Sequence, residues 1–164
     1  MVYVLLKEKA RRDAEEVLSV YWAAGFPVDP ERIALAMGMT VDRRRLRDGT
    51  SGILRVEPDL APEIFVDATD VEPRQKFTIA HEIGHYYERT MSGASDFNFI
   101  DRRGGEYDAH EFYADEFAAN LLMPEWEVRR QVEAGAGLAQ LARHFGVSLP
   151  AIRIRLQRLA KQMA

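Results

Sequence analysis

Apolar residues at Ala10, Ala14, Val17, Leu18, Tyr21 and Trp22 recur every three or four positions, the period of one helix face. They predict an amphipathic helix from about Glu8 to Ala24, ended by Gly25. Phe26-Pro27-Val28-Asp29-Pro30 reads as a turn in which Asp29 caps a short helix over Glu31 to Met37 that stops at Gly38. The pattern then shortens to the period of strands. Thr40 to Arg47 is a strand running into the basic Arg43-Arg44-Arg45-Leu46-Arg47, Asp48-Gly49 is a turn, and Ser51 to Val56 and Glu63 to Asp67 are two further strands set apart by Pro58 and Pro62. Helical spacing returns with Phe77, Ile79, Ala80 and Ile83, in a helix begun at Glu72-Pro73 and ending near Arg89. Thr90 to Gly105 is rich in Ser, Gly, Asn and Asp and reads as a long loop with Phe97, Phe99 and Ile100 embedded in it, either a lid or substrate-contacting loop or a disordered insertion with a few aromatic anchors. The next helix runs from about Tyr107 to Met123 and stops before Pro124.

After Pro124 a helix over Glu125 to Glu133 is broken by Ala134-Gly135-Ala136-Gly137, and Leu138 to Leu156 has helix-turn-helix spacing. Ala142 packs its first helix, Gly146 makes the turn, Ser148 caps the second helix and Ile152 returns to the core. The fold class is therefore α+β: a small antiparallel or mixed sheet with helices over residues 1–124, and a helical, helix-turn-helix-like segment over 125–164 packed on or beside it.

Composition narrows the function. A net charge of -4 and a pI near 5.6 argue against a general nucleic-acid coat. The absence of cysteine excludes a disulfide scaffold and any thiolate metal site. No apolar run is long enough to cross a bilayer, and Met1 to Lys9 lacks a basic region ahead of a long apolar one, so no membrane partner is expected and the expected location is the cytoplasm. The basic run at Arg43 reads as a solvated edge.

The chemistry concentrates at His81-Glu82-Ile83-Gly84-His85, an H-E-x-x-H inside the helix over 72–89. Four-residue spacing returns a side chain to nearly the same helix face, so both imidazoles can aim at one Zn²⁺. Glu82 lies one step round the helix, beside that point, where a carboxylate can accept a proton from an attacking water. A third ligand is available downstream. Glu111, Ala114, Asp115 and Ala118 share a face of the helix from Tyr107 to Met123, and small residues there let it approach the histidine helix closely. Glu111 can complete the site and Asp115, one turn later, can hold the far nitrogen of a ligand histidine. By spacing alone His110, Asp108, Glu116 and Glu88 compete with Glu111 for that place.

Taken with the first motif, Glu111-Phe112-Tyr113-Ala114-Asp115-Glu116-Phe117-Ala118-Ala119-Asn120-Leu121-Leu122-Met123-Pro124 resembles the ImmA/IrrE family of metallopeptidases. The resemblance implies a zincin-like metallopeptidase domain, with His81, His85 and Glu111 as metal ligands, Glu82 as general base and Asp115 as partner of a metal histidine. It also implies a substrate, a helix-turn-helix transcriptional repressor, whose cleavage relieves repression of stress-response or mobile-element genes. Zn²⁺ is the expected metal, and a His/His/Glu set accepts Mn²⁺ as well.

An oxyanion donor is also needed, and Tyr86, Tyr107, Tyr113 and His110 carry suitable groups. In the extended-substrate picture an exposed edge strand beside the metal holds the peptide, and Ile64-Phe65-Val66-Asp67 is the strand expected there. Arg153, Arg155, Arg158 and Lys161 make the last helix basic and suggest DNA contact through the C-terminal segment. The alternative to a peptidase is thus a DNA-binding or antitoxin-type regulatory protein with a structural or sensing metal site.

Overall fold

The computed structural model describes residues 1–95, 97–102 and 105–163. Helix α1 (Val2–Tyr21) begins well before Glu8, since no Gly or Pro interrupts Val2 to Tyr21, and its first turns remain exposed. Its small buried residues Ala10 and Ala14 allow close packing on α4 (Ala109–Leu122), where Tyr113 O–H donates to Asp13 Oδ2 at 2.6 Å. Helix α2 (Pro30–Ala36) is capped by Asp29, whose carboxylate accepts from the Glu31 and Arg32 N–H groups.

Strands β1 (Thr40–Arg44), β2 (Thr50–Val56), β3 (Glu63–Asp67) and β4 (Phe97–Arg102) form a mixed sheet in the order β1-β3-β2-β4. β1 and β3 are parallel; β2 is antiparallel to both β3 and β4. Two expectations are corrected here. Ile64-Phe65-Val66-Asp67 is not an edge: β3 is paired on both sides, and the wholly buried Ile64 and Val66 supply a central strand with its core face. The edges are β1 and β4. The segment expected as a long loop contains β4, with Phe99 opposite Leu54 and Phe97 opposite Val56. Its two-residue alternation is short and set among Ser, Gly and Asp, which hides it from a reading by composition. β1 also ends at Arg44, short of Arg47, and Arg43 is held by Glu31 at 2.6 Å and by Gln75 at 2.9 Å.

Helix α3 (Glu72–Met91) lies between the sheet and α4, and every residue from Thr78 to His85 is buried. Helices α5 (Glu125–Glu133), α6 (Leu138–Phe145) and α7 (Leu149–Met163) follow; α6 packs on α7, which is tied to α4 through Arg155 and Arg158. Gly146 takes the left-handed conformation (φ 65°) between α6 and α7, and Ser148 Oγ accepts from the Ala151 N–H. No helix among the described residues is long and apolar enough to cross a membrane.

One basic residue of α7, Arg155, turns inward, and the exposed Arg158 pairs with a buried carboxylate. Arg155 is 3% exposed; its Nε donates to the Met123 carbonyl at 3.0 Å and its Nη2 to Asn120 Oδ1 at 2.7 Å. Burial lowers its pKa to about 10, still far above neutrality, so it is a buried cation. Arg158 Nη1 reaches Glu116 Oε1 at 2.7 Å. Arg155→Ala is expected to destabilise the protein by about 3 kcal/mol, because a buried carbonyl and a buried amide each lose a charged partner. The midpoint of urea unfolding checks this.

Candidate metal centre

Two helices build the site. α3 supplies His81 and His85, both at most 3% exposed, one turn apart with ring centroids 4.6 Å from each other. α4 supplies Glu111 from its first turn. Asp108 is the N-cap: its carboxylate accepts from the His110 and Glu111 N–H groups, each at 2.9 Å, and so fixes the turn that carries Glu111. The two helices run antiparallel. A Cβ on Gly84 would lie 3.0 Å from Phe117 Cδ1 and 3.2 Å from Ala114 Cα, so glycine there allows the close approach that brings Glu111 to the imidazoles.

Glu111 Oε2 lies 3.3 Å from His81 Nε2 and Glu111 Oε1 lies 3.0 Å from His85 Nε2. One ligand atom from each of the three residues falls within 4.8 Å of the others. Neither imidazole Nε2 has the angular geometry of a hydrogen bond, although both are buried. A carboxylate about 3 Å from each of two imidazole nitrogens, with all three groups inside 4.8 Å, is a donor arrangement that an ion with bonds of about 2 Å can bridge. The residues present therefore fit a metal ion.

The surroundings favour a cation. Burial would lower the His81 pKa, but the carboxylates of Asp115, Glu111 and Glu82 overcome it and hold it well above the ordinary value. For His85 burial wins over Glu111 and the pKa falls. Glu111, which burial alone would raise, is held well below the carboxylate range by the two imidazoles. Asp115 Oδ1 sits 2.9 Å from His81 Nδ1, and Asp115 Oδ2 accepts from Tyr107 O–H at 3.0 Å. A carboxylate on the far nitrogen orients the ring and raises its basicity. Asp115→Asn is expected to weaken metal affinity about 10- to 100-fold, measurable by competition against a chromophoric chelator.

Glu82 is fully buried on the side of α3 that faces β2. A Cβ on Gly52 would come within 2.5 Å of Thr78 Cγ2 and 2.9 Å of Glu82 Oε1, so this strand glycine makes room for Glu82. Phe99 of β4 stacks on His85, centroids 4.1 Å apart and planes 7° apart, and Arg89 lies 5.2 Å over the other part of that cluster, the Phe99 ring. Sequence spacing does not place Gly52 or Phe99 beside the histidines. A glycine inside a strand is the signal that marks Gly52.

The other candidates are occupied elsewhere. Asp108 caps α4, His110 Nδ1 pairs with Glu88 Oε2 at 2.9 Å, and Glu116 holds Arg158. All four competitors of Glu111 are thereby committed to other contacts. Among the tyrosines, Tyr113 is wholly buried with its hydroxyl on Asp13, Tyr107 is tied to Asp115, and Tyr86 packs 6.4 Å from Phe97.

The model of the IrrE N-terminal-like domain, peptidase family M78, matches residues 34–157. The chain belongs to this family. M78 is a metallopeptidase family, and the match takes in α3, β4 and α4 together with α5, α6 and most of α7. It begins inside α2, so α1 stands outside it even though α1 packs along α4. No curated protein matches the chain.

Proposed function

We propose that this M78 protein is a zinc-dependent, site-specific endopeptidase that cleaves a helix-turn-helix transcriptional repressor and so relieves repression of stress-response or mobile-element genes. The observation that carries the peptidase is the convergence of His81 Nε2, His85 Nε2 and Glu111 with Asp115 behind His81. Two neutral imidazoles and one carboxylate are a donor set suited to Zn²⁺, and to Mn²⁺ as well. When bound, the ion supplies Lewis acidity that polarises a scissile carbonyl and acidifies water.

This chain's own residues do the rest. Asp115 accepts the Nδ1 proton of His81 and leaves Nε2 directed at the cluster. Phe99, stacked flat on His85, limits rotation of that ring. Glu82, next to His81 in sequence and shielded from solvent by β2, accepts a proton from the attacking water and returns it to the leaving amine. β4, an edge of the sheet beside His85, offers its backbone to an extended peptide in the role expected of an edge strand.

The test is incubation of the zinc-loaded protein with the helix-turn-helix repressor encoded beside it, scored by intact-mass spectrometry. A single metal-dependent cut is expected. Stable binding to that repressor or to DNA with no cut under Zn²⁺ or Mn²⁺ would overturn the enzyme in favour of a regulatory binding protein.

A further inference from the structure

Arg89 stands one turn beyond His85 on α3, so His81, His85 and Arg89 follow one another at four-residue steps along nearly the same face of the helix. Phe99 of β4 touches two of them: its ring is stacked on the His85 imidazole at 4.1 Å and carries the Arg89 guanidinium 5.2 Å from its centroid. A single aromatic ring therefore joins this cation to one of the converging imidazoles. Arg89 is half-buried, and its Nε is shielded from solvent with no hydrogen-bond partner among the described residues. Contact with a ring leaves a guanidinium's N–H donors unused. Other arginines of the chain have carboxylates of their own: Arg43 has Glu31, Arg130 has Glu127 and Arg158 has Glu116. The acids around Arg89 are occupied, Glu88 by His110 and Glu111 by the two histidines. A half-buried cation beside the metal cluster with its donors unused is the arrangement expected of a group that receives its carboxylate from a ligand.

Resting on the peptidase reading above, we propose that Arg89 is a specificity-determining residue, which pairs with an aspartate or glutamate side chain of the substrate within about three residues of the scissile bond. The route is β4. A peptide added to this edge strand sends alternate side chains to the face of the sheet that carries Phe99, which is the face turned to α3. Two residues along such a strand cover about 6.6 Å, and the four-residue step from His85 to Arg89 covers about 6 Å, so a peptide with its scissile bond at the histidines brings a side chain within reach of Arg89. The planar fork of arginine matches a carboxylate with paired hydrogen bonds. Elsewhere around the cluster Glu88, Glu111 and Asp115 repel acidic side chains, so Arg89 sets the position at which one is accepted.

The experiment uses the zinc-loaded full chain in titration calorimetry. Acetohydroxamate reports the metal alone. Two series of alanine-based tripeptides, with the hydroxamate at the C-terminal end or on an N-terminal malonyl group, carry one aspartate or one asparagine at each position in turn. Asparagine has the shape of aspartate without its charge. At one position aspartate is expected to bind at least about tenfold tighter than asparagine, the ratio that one charge-assisted hydrogen bond supplies. Arg89→Gln is expected to erase that ratio and Arg89→Glu to invert it. Equal affinity of the aspartate and asparagine probes at every position of the unsubstituted protein would overturn the assignment and leave the metal site standing. So would an aspartate preference that survives either substitution, which would give the recognition to another cation. Failure of zinc or of acetohydroxamate to bind would instead remove the peptidase reading, and the role of Arg89 with it.

Discussion

Glu82→Gln is expected to lower the proposed repressor cleavage by about 10²- to 10⁴-fold while the protein keeps its full complement of metal. The substitution preserves shape in a position with no exposed surface, where Gly52 and Thr78 leave little room for anything larger. An amide cannot accept a proton at neutral pH, so the loss falls on proton transfer. Because Glu82 is not one of the three converging ligand residues, bound zinc measured by elemental analysis should match the unsubstituted protein. Turnover near the original value would show that another group moves the proton; loss of zinc would show that Glu82 belongs to the ligand set.

The second large effect is expected at Glu111. Glu111→Ala should weaken zinc binding by on the order of 10³-fold or more, beyond the range that loss of an outer partner produces. The cause is geometric as well as electrostatic. Glu111 supplies both the third donor of the proposed site and the charge that faces His81 Nε2 and His85 Nε2, and the neighbouring candidates Asp108, Glu88 and Glu116 are engaged elsewhere. Glu88 is the useful contrast, being paired with His110, so Glu88→Ala should retain zinc. Metal binding joins α3 to α4, so saturating zinc should also raise the unfolding midpoint of the unsubstituted protein. At a thousandfold excess over Kd the gain is about 4 kcal/mol. Glu111→Ala should show none of it. Chelator competition and thermal melts with and without zinc measure both effects.

How far the sequence carries the argument differs from residue to residue. His81 and His85 are legible because helical spacing alone puts them on one face, and α3 runs uninterrupted through both. β3 is legible to the residue because Glu63 and Asp67 bracket an apolar run between Pro62 and the turn at Ala68. Its place in the sheet is not, since strand order depends on pairings remote in sequence. β4 joins β2 across the whole of α3, and only that pairing makes β3 internal and brings Phe99 onto His85. Choosing Glu111 among five nearby candidates rests, within the sequence, on a family motif. In the fold it rests on a cap, one ion pair and one histidine–carboxylate contact that occupy the others. Gly84 gives no sign of its role in sequence and Gly52 only that of a glycine inside a strand, because their contribution is the absence of a side chain where two elements meet.

The inward turn of Arg155 has a consequence for engineering. The guanidinium lies at the end of the peptidase motif, bonded to the carbonyl of Met123 and the side chain of Asn120, while Arg158 neutralises Glu116 one turn before. Cutting the gene after Pro124 would strip three polar groups of their partners along the very helix that carries Glu111. Residues 1–124 are therefore not a transplantable cassette: a chimera that exchanges the last forty or so residues must bring its own arginine to the same two acceptors, or the graft will unravel along α4 toward Glu111.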